Sequence, residues 1–454
     1  MPKHHHPSSL ISLGKRGEWM PAGNQVHHNW LGNTIKDIDA KPKKKLHPVL
    51  QEFQQLIETN TRVYMLIEAM FEEVPNKPPY NKDPLGRPEI RDYHHFLQTL
   101  NHLLTTAPSW NDKSHRIGLV GLPINALLDW PMGTHSGRAA FLDPDINKMI
   151  KKVLDAWGAY LRSPESAHVL NDSPSGWFGP NSRDDLAEIA RVGACSRSAT
   201  SNGKALAFEE MFICNPSAPH RGYKSWDDFF IRKFHENARP VASPDDDNVI
   251  VSACESRPYC AQRDVKARDK FWLKQQPYSV LDMLAHDELA PKFVGGTVYQ
   301  AFLSALSYHR WHAPVSGKVV KAYVVNGTYY SEPIFEEDLI GFTKETQDPD
   351  PNVEVTIQAY LTATATRALI FIEADNPAIG LVCFIGVGMV EVSTCDITVK
   401  EGQHIKKGAE LGMFHFGGST FCLLFRKGVN VTGLPSPGME ENVPVNSQLA
   451  IVHP

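Results

Sequence analysis

Apolar side chains recur at three- and four-residue steps through much of the first half of the chain. From Pro48 onward, Val49, Leu50, Phe53, Leu56 and Ile57 fall on one helical face. Thr59 or Asn60 can then cap a second helix carrying Val63, Leu66, Ile67, Met70 and Phe71. The spacing predicts further helices over His94 to Leu104 and Ile146 to Leu161, all with faces that read as packing surfaces. Residues 1–45, rich in Pro, His, Lys and Gly, lack a sustained period and read as an irregular arm. Asn171 to Gly203, dense in Ser, Asn, Gly and Pro, reads as loops between domains.

After Ala238-Arg239-Pro240 the helical period gives way to short β-branched runs: Val249 to Val251, Gly317 to Val325, Ala368 to Ile372, Leu381 to Ile385 and Met389 to Val392. Asp348 to Pro351 reads as an exposed loop. The expected class is therefore α+β, with a helical domain over residues 46–203 followed by a β-rich domain over 204–454. Ala313 to Val319 and Val399 to Leu411 faintly echo each other, with the Gly turns and Val/Ile alternation of lipoyl or biotinyl hairpin modules.

The chain has 454 residues, 42% of them hydrophobic and 21% charged, which is globular composition. A net charge of −5 without a basic face gives a nucleic acid no purchase. Seven cysteines without a CxxC pair fit reduced thiols, and hence a cytoplasmic location. The longest apolar run, Ala378 to Val390, is about 13 residues against the ~20 of a membrane span. The N-terminus lacks the apolar core of a secretory signal, so no stable membrane anchor is expected.

Three segments carry candidate chemistry. Phe414-His415-Phe416-Gly417-Gly418-Ser419-Thr420-Phe421 sets two glycines and a serine among apolar residues. Taken alone it reads as a turn between strands, although a Gly-Gly pair also lets the Gly418 carbonyl approach the Ser419 hydroxyl. In Tyr308-His309-Arg310-Trp311-His312-Ala313-Pro314 the HxxH spacing invites a metal, but no HExxH or paired cysteines supply the remaining ligands. No metal is expected, and a histidine acting as base for a serine is the more economical reading. Glu255, in Cys254-Glu255-Ser256 after a β run, is either a strand-end surface carboxylate or an acid that orients a histidine.

Trp226 to Phe234 with Ala238-Arg239-Pro240, then Tyr308 to Pro314, then Gly417-Gly418-Ser419-Thr420, in that order, resemble the phosphatidylserine decarboxylase family. The resemblance covers Gly222 to the C-terminus. A likeness to a soluble fungal branch of the family, one that acts on a free amino acid, extends over the whole chain. It is carried by Phe371 to Asn376, Glu401 to His404 and Leu411 to Ser419. The resemblance implies a precursor that cuts itself between Gly418 and Ser419 and converts Ser419 into a pyruvoyl cofactor, with no need of pyridoxal phosphate. It also implies that His312 is the base, Glu255 the acid of the triad, and His309 a second site histidine, here expected to protonate the carbanion. Cys254-Glu255-Ser256 departs from the family's Ala-Asp-Gly, and the extra methylene alters its reach to His312.

The function implied is pyruvoyl-dependent decarboxylation of a free L-amino acid, an aromatic one being favoured, such as L-tryptophan to tryptamine and CO2. The alternative is phosphatidylserine as substrate, against which the missing anchor argues. A lipoyl-like binding module is the remote alternative, and it lacks the exposed hairpin lysine. Family likeness favours a dimer or larger assembly.

Overall fold

The structure, a computed structural model, describes residues 24–74, 90–110, 122–192, 200–201, 204–268, 278–304, 306–331, 358–391, 394–416, 419–436, 439 and 441–454. The expected loop at Asp348 to Pro351 lies outside the described residues. Within the stretch assigned to an irregular arm stands a helix, α1 (Asn24–Asp39), which buries Leu31 and Ile35, one turn apart. Val26, Trp30, Leu31, Ile35 and Ile38 give this helix an apolar stripe, which the Pro, His, Lys and Gly of the surrounding stretch obscured.

Helix α2 (Pro48–Thr59) buries Leu50, Phe53 and Ile57, and α3 (Thr61–Glu72) buries Val63, Ile67, Met70 and Phe71. Asn60 is the cap, its side chain accepting the Val63 N–H at 3.3 Å. Next come α4 (Tyr93–Leu103), α5 (Pro123–Met132), α6 (His135–Leu142) and α7 (Pro144–Leu161). The stretch assigned to interdomain loops contains α8 (Pro180–Val192), docked through Leu186, Ala187 and Ala190. A short helix, α9 (Trp226–Phe230), is capped by the Ser225 side chain.

The second half is antiparallel β. Its strands are β1 (Val249–Val251), β2 (Arg257–Arg263), β3 (Thr297–Leu303), β4 (Arg310–His312), β5 (Gly317–Val325), β6 (Arg367–Ala374), β7 (Leu381–Gly388), β8 (Thr394–Ile397), β9 (His404–Ile405), β10 (Glu410–His415), β11 (Ser419–Phe425), β12 (Asn430–Thr432) and β13 (Gln448–His453). A seven-stranded sheet runs β9-β5-β6-β7-β11-β3-β2, and two three-stranded sheets run β8-β10-β4 and β12-β13-β1. The two segments that echo each other in sequence meet here, Gly317 pairing with Ile405 and Lys318 with His404.

The central strands β7 and β11 are buried along their whole length, as expected of strands covered on both faces. The strand expected over Met389 to Val392 instead breaks off. Val390 has φ +48°, and the chain turns at Val390 and Glu391. Helices and sheets share one continuous apolar core, joined by contacts such as Trp177 on Trp226 and Phe141 on Tyr330.

Candidate functional site

Ser419 opens β11, between Leu303 of β3 and Gly388 of β7. The residue is fully buried and its Oγ has no hydrogen-bond partner among the described residues. A hydroxyl stranded in this way costs on the order of 1–3 kcal/mol. Gly418, the other half of the expected scissile bond, lies outside the described residues. Thr420 is satisfied by contrast, its Oγ1 donating to the Ala301 carbonyl at 2.9 Å and accepting from Gln300 at 3.1 Å.

The chain leading to this point is held by both its last described side chains. Phe416 has φ +73°, in the left-handed region that a bulky residue occupies only at a cost of ~1–3 kcal/mol. Its ring is socketed by Trp157 at 5.9 Å and Trp226 at 6.4 Å, with the Arg162 guanidinium 5.2 Å from its centroid. Gly158 of α7 makes room for it, since a Cβ there would stand 2.9 Å from Phe416 Cε2. His415 is buried with Nδ1 2.8 Å from an Asp227 carboxylate oxygen. Burial works against its charge, but Asp227 and Asp396 outweigh it and raise the His415 pKa. The helical half thus grips the strand end just before the Gly-Gly pair.

His312 ends β4, opposite Glu410 of β10. Its Nδ1 lies 2.8 Å from the Gly408 carbonyl, an oxygen that only accepts, so Nδ1 carries the proton. Nε2 is left as the basic nitrogen and accepts the Tyr308 hydroxyl at 3.0 Å. Burial pushes the His312 pKa down, against the pull of Gly408, and favours the neutral base near pH 7. Burial raises the Tyr308 pKa, so Tyr308 stays a protonated donor. His309 is fully buried, its ring stacked 4.1 Å from Phe230.

Glu255 is buried as well, which removes the surface-carboxylate reading. It makes no direct hydrogen bond to His312, although its charge still reaches that imidazole. Arg239 Nε and Nη2 donate to its two oxygens at 2.9 and 2.6 Å, and the Val445 N–H donates at 2.9 Å. Three donors occupy this carboxylate, and the hydrogen bond that holds His312 Nδ1 is made by the Gly408 carbonyl.

Tyr308, Gly408, Arg239 and the His415–Asp227 pair were not assigned roles from the sequence. Tyr308, Arg239, Asp227 and His415 lie inside the recognised strings, and that was the only signal available. Among the described residues no group of three or more His, Cys, Asp or Glu is arranged to hold a metal ion, and no helix is long and apolar enough to cross a membrane. The six described cysteines are unpaired.

A family model described as phosphatidylserine decarboxylase matches residues 226–448, and a second of that description matches residues 47–186. The chain is 46% identical to decarboxylase iboD of Amanita muscaria over 73% of its own length and 92% of that protein's. It is 34% identical to an L-tryptophan decarboxylase of Psilocybe cubensis, over 93% of this chain and 90% of the relative. A phosphatidylserine decarboxylase proenzyme of Schizosaccharomyces pombe is 31% identical over 49% of this chain and 21% of that protein.

Proposed function

Since the chain belongs to the phosphatidylserine decarboxylase family and is a carboxy-lyase, we propose that it is a pyruvoyl-dependent decarboxylase of a free aromatic L-amino acid, forming tryptamine and CO2 from L-tryptophan. The observation that carries the cofactor is Ser419 Oγ, buried and unpartnered at the head of a central strand. The substrate reading is supported by the relative matched over nine-tenths of both chains, whose name is L-tryptophan decarboxylase.

The residues fit self-maturation. In our reading His312 Nε2 receives the Ser419 hydroxyl proton, and the Tyr308 hydroxyl now on that nitrogen either gives way or passes the proton through. Ser419 Oγ bonds to the Gly418 carbonyl carbon, and the peptide C–N bond breaks as its nitrogen is protonated, leaving an ester. Removal of the residue's α-proton then expels the Gly418 carboxylate, and water releases ammonia from the resulting enamine carbon. Glu255 acts at a distance, where its charge favours the protonated form of His312. His309 is assigned the proton that replaces the departing carboxylate. The pyruvoyl group supplies a ketone that binds the substrate amine and draws off the electron pair left when CO2 departs.

Two expected outcomes test this reading. Purified protein should form tryptamine from L-tryptophan without detergent, lipid or added pyridoxal phosphate, and phenylhydrazine should abolish the activity. Amine release only from phosphatidylserine vesicles would overturn the substrate. Gly158→Val should force Phe416 from its socket and raise the uncut fraction on a denaturing gel, with the circular dichroism spectrum retained. Unchanged cleavage in that variant would mean that the socket does not position the strand end.

A further inference from the structure

Trp226 to Phe234, the first of the recognised strings, contains Arg232 and Lys233, and the chemistry above uses neither. Arg232 is 3% exposed. Burial pulls its pKa down to about 10, with Tyr223 and Tyr308, rather than any acid, acting against it. The rings of Phe212 and Phe229 cover the guanidinium, their centroids 4.5 and 5.2 Å from its carbon. Rings stabilise a cation over their faces and leave its N–H edge to find acceptors.

That edge is met only in part. Nη2 donates to the Leu306 and Ser307 carbonyls at 2.7 and 3.4 Å, and Nε and Nη1 have no acceptor among the described residues. Arg367 shows the satisfied alternative in the same chain. It is equally buried without an acid beside it, and its Nε, Nη1 and Nη2 all donate, to the carbonyls of Met283, Ala365 and Asp282 at 2.8, 2.8 and 2.6 Å. Buried charges are ordinarily paired or fully hydrogen-bonded, and Arg232 is neither.

Arg232 lines a solvent-open cavity of about 410 Å³, together with Arg221, Lys233, Arg310 and a single acid, Asp228. Arg221 is paired with Glu209 and Asp172, and Arg310 with Glu410, at 2.7, 3.1 and 2.8 Å. None of these three acids lines the cavity. Lys233 is exposed and has no ion-pair partner among the described residues. Arg232 and Lys233 thus face Asp228 alone, and the cavity keeps a positive surplus.

We propose that this cavity binds a small oxyanion of the phosphate class, with Arg232 as its buried anchor and Lys233 and Arg221 as further donors. The site goes beyond the proposed function, and its test does not depend on that reading. The cations come from three parts of the chain: the turn before α9, the residues that follow α9, and β4. A tetrahedral phosphate presents an oxygen to each of them, where a carboxylate matches a single guanidinium fork.

Free phosphate and a phospholipid headgroup share this chemistry, and the test separates them. The full protein is titrated with sodium phosphate in a calorimeter, with chloride holding the ionic strength constant. It is also sedimented with phosphatidylcholine vesicles that contain or lack phosphatidic acid. Wild type should bind one phosphate per chain, saturably. Lys233→Glu should weaken that binding roughly tenfold to a hundredfold, the range expected for a lost charged hydrogen bond. Arg232→Gln should abolish it. Lys148→Glu, the same change at an exposed position of α7, should bind as wild type does.

Wild-type affinity in Lys233→Glu would overturn the proposal, and so would an equal loss in Lys233→Glu and Lys148→Glu, which would reduce the effect to net charge. Absence of saturable binding of wild type to both phosphate and the acidic vesicles would overturn it too. Binding to the phosphatidic acid vesicles but not to phosphate, lost in Lys233→Glu, would assign the site to a lipid headgroup. Lys233 is exposed, so its variant decides the question even where Arg232→Gln, a change in the core, does not fold.

Discussion

Ser419→Ala is expected to give a single uncut chain with no decarboxylase activity, where wild type is expected to give one chain ending at Gly418 and a second covering residues 419–454. The attacking oxygen is gone, so neither the ester nor the cofactor can form. The variant should nonetheless fold at least as well as wild type. Ser419 Oγ has no partner to lose among the described residues, and removing a buried unsatisfied hydroxyl is neutral or stabilising. Intact mass and urea unfolding report the two halves of this expectation separately. Cleavage between the same residues in Ser419→Ala would refute the assignment. His312→Ala should also remain largely uncut, with maturation slowed by roughly 10²–10⁴-fold, the usual contribution of a general base. Processing at the wild-type rate would move the base elsewhere.

The second large effect is expected at Arg239, which lies outside the catalytic assignments. Arg239→Ala leaves the Glu255 carboxylate at 1% exposure with only the Val445 N–H, and breaking one side of a buried ion pair costs about 3–5 kcal/mol. Urea midpoints measured in the Ser419→Ala background, where a single chain unfolds, are expected to fall sharply for Arg239→Ala and for Glu255→Ala. The double variant should recover part of the loss, because it removes both charges. If Glu255 instead served His312 alone, Glu255→Ala would slow processing and leave the midpoint nearly unchanged. The structure argues for the stability effect, since both Glu255 oxygens are engaged by Arg239 and Arg239 also donates to the Ala190 carbonyl of α8.

The helices α2, α3, α4 and α7 and the strands β1, β5, β6 and β7 were legible because their signal is local. A stripe every three or four residues, or a β-branched run between turns, records which face meets the core wherever that core lies. Helices α1 and α8 were missed because their apolar positions lie within long stretches whose Pro, His, Lys, Ser, Asn and Gly content was read as irregular chain. Met389 to Val392 continues an apolar run, yet the positive φ of Val390 ends the strand, a backbone event that side-chain chemistry does not announce.

The candidate site divides in the same way. Ser419, His312, His309 and Glu255 stood out because their residue types and order carry chemistry and a family likeness. The partners of those residues were a matter of folding. The sequence offered Glu255 as the group that orients His312. The fold instead engages Glu255 with Arg239, sixteen residues upstream, and orients His312 with the Gly408 carbonyl, 96 residues away. It brings Ile124 and Asn125 onto Glu391 across 267 and 266 positions of chain. The sequence by itself determined the periodicities, the α+β class and the inventory of reactive groups, because these depend on neighbours a few residues apart. Only the tertiary structure decided which carboxyl meets which base, which hydroxyl is left unpaired and which glycine must stay small. Hydrogen bonds and desolvation are set by a few ångströms between atoms, and residues far apart in the chain come that close only once the core has formed.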